Sequence, residues 1–282
     1  MHPARKPIVL ITGVSTGIGL ALCRMFLTHD WKVYGSVRKQ SDCPFDSRDF
    51  PDFELLIFDV TDHEAIQKAA LKIKTEHQTG IDLLLNNAGI AVGGPLVHIP
   101  IEEFRYQFEV NVFGLLAVTQ AFYPLLRSKG NKPAGRIIQI SSVSGKIGFP
   151  FVGAYAASKF AVEGLSETLR RELIKDEIKV IVVGPGAVKT PIWEKSVSPV
   201  ASKYSQTEYA AAIEKVNNFF VNTAVQTGLE ASDVATRIFK IANKKTPRSR
   251  YTMISRYLTG YLLPLVLPAS WIDRLMTRRL FN

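Results

Sequence analysis

Short apolar runs alternate along this chain with longer segments in which apolar residues recur at helical spacing. The short runs predict strands that are buried on both faces, at residues 8–11, 32–37, 53–58, 81–85, 135–140 and 179–183. The longer segments predict helices over residues 18–29, 62–77, 101–128 and 154–175. Strands and helices that alternate in this way form a parallel sheet covered by helices on both faces. Right-handed crossovers then make the predicted fold an α/β, doubly wound parallel sheet.

The chain of 282 residues contains no linker rich in proline, glycine and serine, so we expect a single domain over residues 1–282. The alternation breaks between about 195 and 227, where a helical pattern follows the sixth strand without another strand. Its apolar stripe consists of Ala210, Ile213, Val216, Phe219 and Phe220. Two uses fit this stripe equally: a helix packed on the domain, or a cover over a substrate cleft beyond the strand carboxyl ends.

The formal net charge of +10 raises the question of a nucleic-acid or membrane partner. No basic run is long and none is interleaved with aromatic residues, so we expect no nucleic acid and some basic side chains facing an anionic cofactor. Cys23 and Cys43 match no metal-ligand spacing or disulfide framework, and the N-terminus lacks the apolar core of a secretory signal. These features predict a cytoplasmic protein without a metal site.

A glycine-rich turn directly follows the first predicted strand and opens the first predicted helix. Glycine at 13 permits a sharp turn, at 17 it lets the backbone approach a pyrophosphate, and at 19 it lets helix and strand pack closely. The helix N-terminus offers free N–H groups and the positive end of a dipole to phosphates. The turn therefore predicts a nucleotide-binding site formed by Gly13, Ser15, Thr16, Gly17, Ile18 and Gly19.

Four residues in the middle of the chain suggest proton-transfer chemistry. Tyr155 and Lys159 stand four residues apart in a predicted helix and therefore share one of its faces. A lysine ammonium beside a phenol favours the phenolate and lowers the tyrosine pKa, as general acid–base catalysis at neutral pH requires. Ser142 follows a predicted strand, where its hydroxyl can hydrogen-bond a substrate oxygen. Asn111 falls in the middle of a predicted helix, where asparagine is unfavourable unless its buried amide binds the backbone.

Three further segments follow predicted strands, at residues 59–60, 87–89 and 185–190. Together with the turn of spacing T-G-x-x-x-G-x-G and with Ser142, Tyr155 and Lys159, they resemble the short-chain dehydrogenase/reductase family in residue type and in order. The resemblance covers residues from about 8 to 195 and is loose beyond them.

The resemblance implies a Rossmann-like oxidoreductase that moves a hydride between a nicotinamide cofactor and an alcohol or ketone. Tyr155 would be the general acid/base, Lys159 would lower its pKa and bind the nicotinamide ribose, and Ser142 would orient the substrate oxygen. Asn111 would bend its helix and hold a water in a proton relay with the lysine. Besides Tyr155, Lys159 and the glycine-rich turn, the implied cofactor-binding residues are Asp59 at the adenine, Val60, Asn87, Ala88, Gly89, Pro185, Gly186, Val188 and Thr190.

Family members are commonly homodimers or homotetramers that associate through two helices, which correspond here to residues 101–128 and 154–175. The resemblance therefore implies a homodimer or homotetramer for this chain as well.

The residues after the second predicted strand bear on the choice between NAD and NADP. An acidic residue there usually binds the adenosine ribose and selects NAD, whereas an arginine accommodates the extra phosphate of NADP. Val37 stands where the acid is expected, and Arg38 follows it. These residues predict NADP, with NAD as the alternative because the glycine-rich turn carries no second basic residue.

The C-terminal extension, residues 257–282, begins with an apolar stretch that is too short to span a bilayer and contains two prolines. Ser270 and Asp273 are spaced as a capping box, which predicts the start of an amphipathic helix bearing arginines. Three uses stay open for this extension: a cover over the substrate cleft, a contact between subunits, and peripheral contact with a membrane.

The extension, together with residues 247–251, resembles the retinol and 17-beta-hydroxysteroid dehydrogenase branch of the family. This likeness implies a small apolar alcohol or carbonyl substrate, similar to a steroid, a retinoid or another lipid. Apolar residues near the predicted site agree with it, namely Ile147, Phe149, Phe151, Ile192 and Trp193. The alternative is a non-catalytic module that senses the cofactor, and the intact Ser142, Tyr155 and Lys159 argue against it.

Overall fold

The computed structural model describes residues 5–46, 48–192 and 200–281, without the side chains of residues 219–225. Its centre is a seven-stranded sheet in the order β3-β2-β1-β4-β5-β6-β7, in which every neighbouring pair is parallel. The strands are β1 (Ile8–Thr12), β2 (Lys32–Val37), β3 (Phe53–Ile57), β4 (Leu83–Asn86), β5 (Arg136–Ile140), β6 (Lys179–Pro185) and β7 (Arg250–Met253). The strand order reverses between β1 and β4, which opens a crevice at their carboxyl ends.

Helices cover both faces of the sheet, so the predicted α/β, doubly wound fold is confirmed. They are α1 (Gly17–Leu27), α2 (His63–Glu76), α3 (Ile101–Phe108), α4 (Leu115–Leu126), α5 (Gly153–Glu172), α6 (Ala210–Thr227), α7 (Ala231–Ala242), α8 (Leu263–Val266) and α9 (Ala269–Leu280). The C-terminal ends of the strands and the N-terminal ends of α1 and α5 lie at the same edge of the sheet, where ligands bind in such folds.

The alternation of side chains along β1 explains how one strand supports two cores. Ile8 and Leu10 belong to a cluster that includes apolar residues of α2 and α4. Val9 and Ile11 point to the other face, where they belong to a cluster with residues of α1 and α7. All four side chains are buried. A strand between two helical layers needs such an unbroken apolar run, which is the pattern that the sequence showed.

The structure departs from the predicted elements in two places that matter for the site. β7 was not among the predicted strands, because it is a four-residue edge strand in which only Met253 is buried, and no apolar run marks it. The single helix expected over residues 101–128 is instead α3 and α4 joined by a π-helical segment, Glu109–Gly114. Asn111 lies in this segment, where the helical register shifts by one residue.

The stretch Ile101–Leu126 is also long and apolar enough to cross a membrane by length and composition. Most of it is buried inside the protein, and α4 packs against β4 and α2. Packing in the core accounts for its apolar character.

The described part of the predicted substrate-covering region packs on the domain. Val200, Tyr204 and Ile213 form a small buried cluster with Ile99 and Phe151 next to the start of α5. Of the residues predicted near the substrate, Trp193 lies outside the described part of the chain, and so do the side chains of Phe219 and Phe220.

The C-terminal extension returns to the same region of the protein. Leu280 of α9 is buried against Ala212 and Val216 of α6, with Phe151 beside them. The predicted capping box at Ser270 is wrong, because α9 begins at Ala269 and Ser270 lies inside its first turn. Pro268 takes the N-cap position, where its backbone is extended, and its ring offers no side-chain acceptor to the first turn.

Candidate active site

The glycine-rich turn joins β1 to α1 at the crevice in the sheet. Gly13 and Gly17 have φ values of +72° and +57°, a left-handed conformation that favours glycine. A Cβ on Gly19 would lie 2.5 Å from Nδ2 of Asn87 and closer still to the carbonyl oxygen of Gly13. The side chain of Thr16, the N-cap residue of α1, does not cap the helix, which leaves the first backbone N–H groups for a phosphate.

The turn is held against the end of β4 by hydrogen bonds from two consecutive residues. The backbone N–H groups of Asn87 and Ala88 both donate to Oγ1 of Thr12 at 3.0 Å. Nδ2 of Asn87 donates to the carbonyl oxygens of Thr12 and Gly13 at 2.9 and 3.0 Å. The Asn87 side chain, predicted to bind cofactor, therefore braces the phosphate-binding turn.

Asn111 organises the chain opposite the start of α5. It is buried, its Oδ1 accepts from the backbone N–H of Ile90 at 2.9 Å, and its Nδ2 donates to the Ile90 carbonyl at 3.0 Å. Nδ2 also lies 3.0 Å from Oγ of Ser158. A Cβ on Gly89 would lie 3.2 Å from Oδ1 of Asn111 and 3.7 Å from Nζ of Lys159, so the three residues adjoin one another. The buried amide of Asn111 therefore binds the backbone, which is the condition under which asparagine is tolerated in the middle of a helix.

Ser142, Tyr155 and Lys159 meet where β5 ends and α5 begins. Ser142 follows β5, its Oγ accepts from the backbone N–H of Ser144 at 3.1 Å, and it is buried. Tyr155 and Lys159, both buried, lie on the inner face of α5. Nζ of Lys159 donates to the carbonyl oxygen of Ile140 at 2.9 Å and lies 5.7 Å from the centre of the Tyr155 ring.

The pKa values of these two groups differ from the sequence-based expectation. Burial raises the pKa of Tyr155, and a hydrogen bond with Ser142 opposes that rise. Burial lowers the pKa of Lys159 to about 8, and the negative charge of Glu163 opposes that fall. The pKa of Tyr155 is therefore raised by burial where the sequence predicted a fall, and the ammonium group of Lys159 is hydrogen-bonded to the Ile140 carbonyl.

One cleft along the strand ends joins the predicted residues. Of the apolar residues predicted near the substrate, Ile192 lines it, whereas Ile147, Phe149 and Phe151 do not. All of the predicted catalytic and cofactor-binding residues except Asn111 line it: Gly13, Ser15, Thr16, Gly17, Ile18, Gly19, Arg38, Asp59, Val60, Asn87, Ala88, Gly89, Ser142, Tyr155, Lys159, Pro185, Gly186, Val188 and Thr190. Arg38 is exposed at one end of it. Oδ1 of Asp59 is engaged by the backbone N–H and the hydroxyl of Thr61, both at 2.9 Å. The structure brings the predicted residues together, and their individual roles stay predictions.

The same cleft contains residues that the sequence analysis did not single out, among them Ser36, Asp42, Phe58, Tyr106 and Val110. Ser36 had a detectable signal, because a serine in the apolar β2 strand is unusual, and its carbonyl accepts from the N–H of Gly13 at 3.0 Å. Tyr106 and Val110 sit on α3 and the π-helical segment, and no sequence motif marks them.

The cleft fits a dinucleotide with an added phosphate. The uncapped N-terminus of α1 and the glycine backbone suit a pyrophosphate, since a Cβ on Gly17 would lie 3.0 Å from Cγ2 of Thr190 and narrow the passage. The exposed guanidinium of Arg38 at the end of β2 suits a second phosphate on the adenosine ribose. Lys159 and Ser142 lie at the other end of the cleft, where the reactive ring of such a cofactor would be.

A doubly wound parallel sheet with a glycine-rich turn at its crevice and a serine, a tyrosine and a lysine beyond it defines the class of nucleotide-dependent oxidoreductases. The sequence profile described as short chain dehydrogenase matches residues 7–201 of the chain. The chain belongs to the short-chain dehydrogenase/reductase family, as its motifs predicted, and it is an oxidoreductase.

Two curated relatives and one solved structure show the likeness. The NADPH-dependent 3-dehydrocapnine reductase of Ornithobacterium rhinotracheale is 38% identical over 274 residues, which cover 96% of either chain. The 3-ketodihydrosphingosine reductase of Bacteroides thetaiotaomicron is 33% identical over 244 residues, which cover 86% of either chain. The structure of ElxO with NADP bound has a TM-score of 0.72 and 25% identity, over 91% of this chain and 100% of ElxO. Two of these three proteins are described with NADP or NADPH, in agreement with the cofactor that Arg38 predicts.

Proposed function

We propose that this protein is an NADPH-dependent reductase that converts an apolar ketone or aldehyde to an alcohol, with Tyr155 as the general acid. The observation that carries the proposal is the meeting of Ser142, Tyr155 and Lys159 at one end of the cleft whose other end holds Arg38. When bound, the cofactor supplies the hydride. The protein supplies the binding site, the orientation of the carbonyl group and the proton.

The protonation state of Tyr155 supports reduction. Its phenol is protonated at neutral pH, where burial raises its pKa, and this proton can be donated to the substrate oxygen. The Ser142 hydroxyl lies on the same side of the cleft and can donate a second hydrogen bond to that oxygen. Lys159, with its pKa of about 8, is mostly charged at neutral pH and favours the phenolate that is left behind.

The cofactor is held by the backbone of the glycine-rich turn and by Arg38. NADPH is favoured over NADH because Arg38 offers a guanidinium to the added phosphate, and Val37 offers no carboxylate to the ribose. The NADPH-dependent relative and the NADP-bound structural neighbour support this preference.

The decisive experiment follows the oxidation of NADPH by absorbance in the parent protein and in Tyr155→Phe. The substrates are a panel of apolar ketones and aldehydes of different shapes. We expect turnover by the parent and a loss of at least about a hundredfold in the variant, because the acid contributes about that much or more. NADPH binding, measured by fluorescence, should be unchanged. Parental turnover by Tyr155→Phe would exclude the proposed role.

The substrate class is inferred from the lining beyond the catalytic residues. Ala91, Val110 and Ile192 line the same cleft as Tyr155, and Tyr106 adds an aromatic ring. The relatives are named for the reduction of 3-dehydrocapnine and 3-ketodihydrosphingosine, and the second name contains a ketone. We therefore place lipid-like ketones first in the panel, with steroid and retinoid carbonyl compounds after them.

The alternative, a non-catalytic module that senses the cofactor, predicts a different outcome of the same assay. Such a module would bind NADPH and remain inactive toward every carbonyl compound, and toward alcohols offered with NADP.

Peripheral membrane contact through the C-terminal extension is the second part of the proposal. Leu258, Val266 and Trp271 are 68%, 67% and 62% exposed. The extension carries three arginines, with Arg256 directly before it, and a single acidic residue, Asp273. A like-charged second copy would be repelled by such a surface, whereas anionic lipid would be attracted to it.

Co-sedimentation with vesicles tests this contact. We expect the protein to bind vesicles that contain anionic phosphatidylserine, and to bind less to vesicles of neutral phosphatidylcholine. The double variant Trp271→Ala, Val266→Ser should bind these vesicles more weakly. Ile57→Ser is the control, because Ile57 is also exposed and apolar but lies in β3, outside the extension. Equal recovery in the supernatant with and without vesicles would exclude membrane contact.

A homodimer or homotetramer is proposed through the helices named in the sequence analysis. Phe113 and Phe160, one on each of these two helical segments, are 51% and 46% exposed, so both can supply apolar surface to a contact between subunits. Light scattering of Phe160→Glu beside the parent tests this assembly, because a buried charge at the contact should shift the mass toward the monomer.

A further inference from the structure

A buried ion pair lies on the side of α5 that carries Lys159. Nε of Arg250, at the start of β7, donates to the two carboxylate oxygens of Glu163 at 2.9 and 3.2 Å. The Glu163 and Arg250 side chains are only 7% and 20% exposed. Nζ of Lys146 lies 3.6 Å from the same carboxylate and is more exposed. Neither Glu163 nor Arg250 touches the cleft, so the proposed reaction does not use them directly.

Glu163 stands one helical turn beyond Lys159 and on the same face of α5. Gly145 shows how tightly this turn is packed, because a Cβ there would lie 2.9 Å from the carbonyl oxygen of Lys159 and 3.0 Å from Cγ of Glu163. Arg250 also lies close to the backbone of Ser142. A Cβ on Gly184 would lie 2.7 Å from Nη2 of Arg250 and 3.2 Å from the carbonyl oxygen of Ser142. The ion pair therefore lies directly behind both Lys159 and Ser142.

The pair also reaches the C-terminal extension. Nη1 of Arg250 donates to Oη of Tyr261 at 2.8 Å, and the guanidinium lies 5.5 Å from the centre of the Tyr261 ring. Nη1 also donates to Oγ1 of Thr252. Tyr261 is buried in a π-helical segment, Leu258–Leu262, whose neighbouring residues are largely exposed. The Arg250 side chain thus connects α5, through Glu163, with Gly184 of β6 and with Tyr261 of the extension.

We propose that Glu163 and Arg250 are positioning residues that hold the Lys159 turn of α5 and the Ser142 backbone in place, with Tyr261 as the support of Arg250. The inference rests on the proposed roles of Lys159 and Ser142. A buried ion pair adds little net stability because desolvation offsets the attraction, so its location behind two site residues calls for another explanation. Positioning provides one, since geometry at a reacting centre is sensitive to shifts of about 1 Å.

The carboxylate of Glu163 also sets the charge state of its neighbour. The titratable or charged groups around Lys159 are Tyr155 and Glu163 on its own helix, Lys146 after the turn that follows β5, and Arg250 on β7. Asn111 and the Ile140 carbonyl are neutral. Glu163 is the anion among them, and it opposes the effect of burial on the pKa of Lys159. Without it, Lys159 would lose its proton at a lower pH.

The test compares Glu163→Gln with Glu167→Gln, a matched control in the next turn of α5 whose carboxylate forms an exposed ion pair with Arg171. We measure kcat and its pH dependence with saturating NADPH. In Glu163→Gln we expect kcat to fall about tenfold. The alkaline limb of the profile should also move down by about one pH unit, since an opposite charge nearby shifts a pKa by that much or more. Glu167→Gln should match the parent in both.

Glu163→Gln leaves Arg250 buried without its anion and can lower stability, so a second variant separates folding from positioning. Glu163→Gln combined with Arg250→Met removes both charges and should unfold near the parental temperature. We expect the low kcat and the lowered alkaline limb to persist in it. A folded double variant with parental kcat and a parental pH profile would overturn the proposal.

Tyr261→Phe tests the third member of the group. We expect it to lower kcat in the parent background and to have no effect in the double variant, because its partner Arg250 is then absent. An equal effect in both backgrounds would exclude Tyr261 from the group. Failure of the proposed function is distinguishable, because the parent would then reduce no carbonyl compound, or Tyr155→Phe would retain turnover, whatever Glu163→Gln does.

Discussion

The close approach of Gly19 to the phosphate-binding turn allows a sharp prediction for Gly19→Ala. The added methyl group would lie 2.5 Å from Nδ2 of Asn87 and closer to the carbonyl oxygen of Gly13, whereas carbon makes van der Waals contact at about 3.5 Å. The turn must therefore open by at least about 1 Å, and Asn87 must release the hydrogen bonds that brace it. Overpacking of this kind costs about 1–3 kcal/mol.

If the bound state bears this strain, the affinity for NADPH falls about 5- to 150-fold. We expect a loss near about 150-fold, because the Gly13 carbonyl oxygen belongs to the backbone and cannot rotate away as a side chain can. The assay is a fluorescence titration with NADPH at a temperature below the melting point of each variant. Gly164→Ala is the matched control, because a Cβ there meets nothing within 4 Å. It should bind NADPH like the parent and gain about 0.5–1 kcal/mol of stability, since alanine replaces glycine inside a helix. Parental affinity in Gly19→Ala would refute the packing argument.

Three more predictions follow from named contacts. Activity should fall as the pH rises through about 8, where Lys159 loses its proton. Because the charged form of Lys159 is penalised by burial, Lys159→Met should be more stable than the parent at pH 7, by a margin that shrinks as the pH rises toward 10. A constant margin in thermal melts at pH 7 and pH 10 would contradict this. Arg38→Ala should weaken NADPH binding about tenfold and leave NADH binding unchanged, and equal losses in parallel titrations would exclude a role at the added phosphate. Asp62→Ala should cost about 1 kcal/mol in denaturant unfolding, because Oδ1 of Asp62 caps α2 by accepting from the N–H of Ala65 at 3.0 Å, and Asp62→Asn should cost much less.

The sheet could be predicted because each of its central strands is buried on both faces and must be apolar throughout. Ile8 to Ile11 show this clearly, since successive side chains serve opposite cores. The site followed from the sheet, because Ser142 and Gly13 each come directly after a strand, and strand ends of a parallel sheet share one edge. Order along the chain was therefore enough to place these residues together.

The features that could not be predicted depend on contacts between distant parts of the chain. β7 is a strand because it pairs with β6 and because Arg250 finds Glu163, which is 87 residues earlier. The π-helical segment depends on hydrogen bonds between Asn111 and Ile90. The direction of the Tyr155 pKa shift depends on burial, which the hydrogen bond with Ser142 only partly opposes. None of these partners is visible from local spacing.

The position of Arg250 near the end of the chain has a consequence for the order of folding during synthesis. Domains form from the N-terminus as the ribosome releases the chain, and α5 with Glu163 emerges long before β7. Until β7 arrives, the sheet has an open edge at β6, and the Glu163 carboxylate has Lys146 as a neighbour but lacks its buried cation. A nascent chain that stops short of residue 250 would therefore contain all of the cleft residues, but the ion pair that positions the Lys159 turn and the Ser142 backbone would be missing. The active site would be complete only after β7 has joined the sheet.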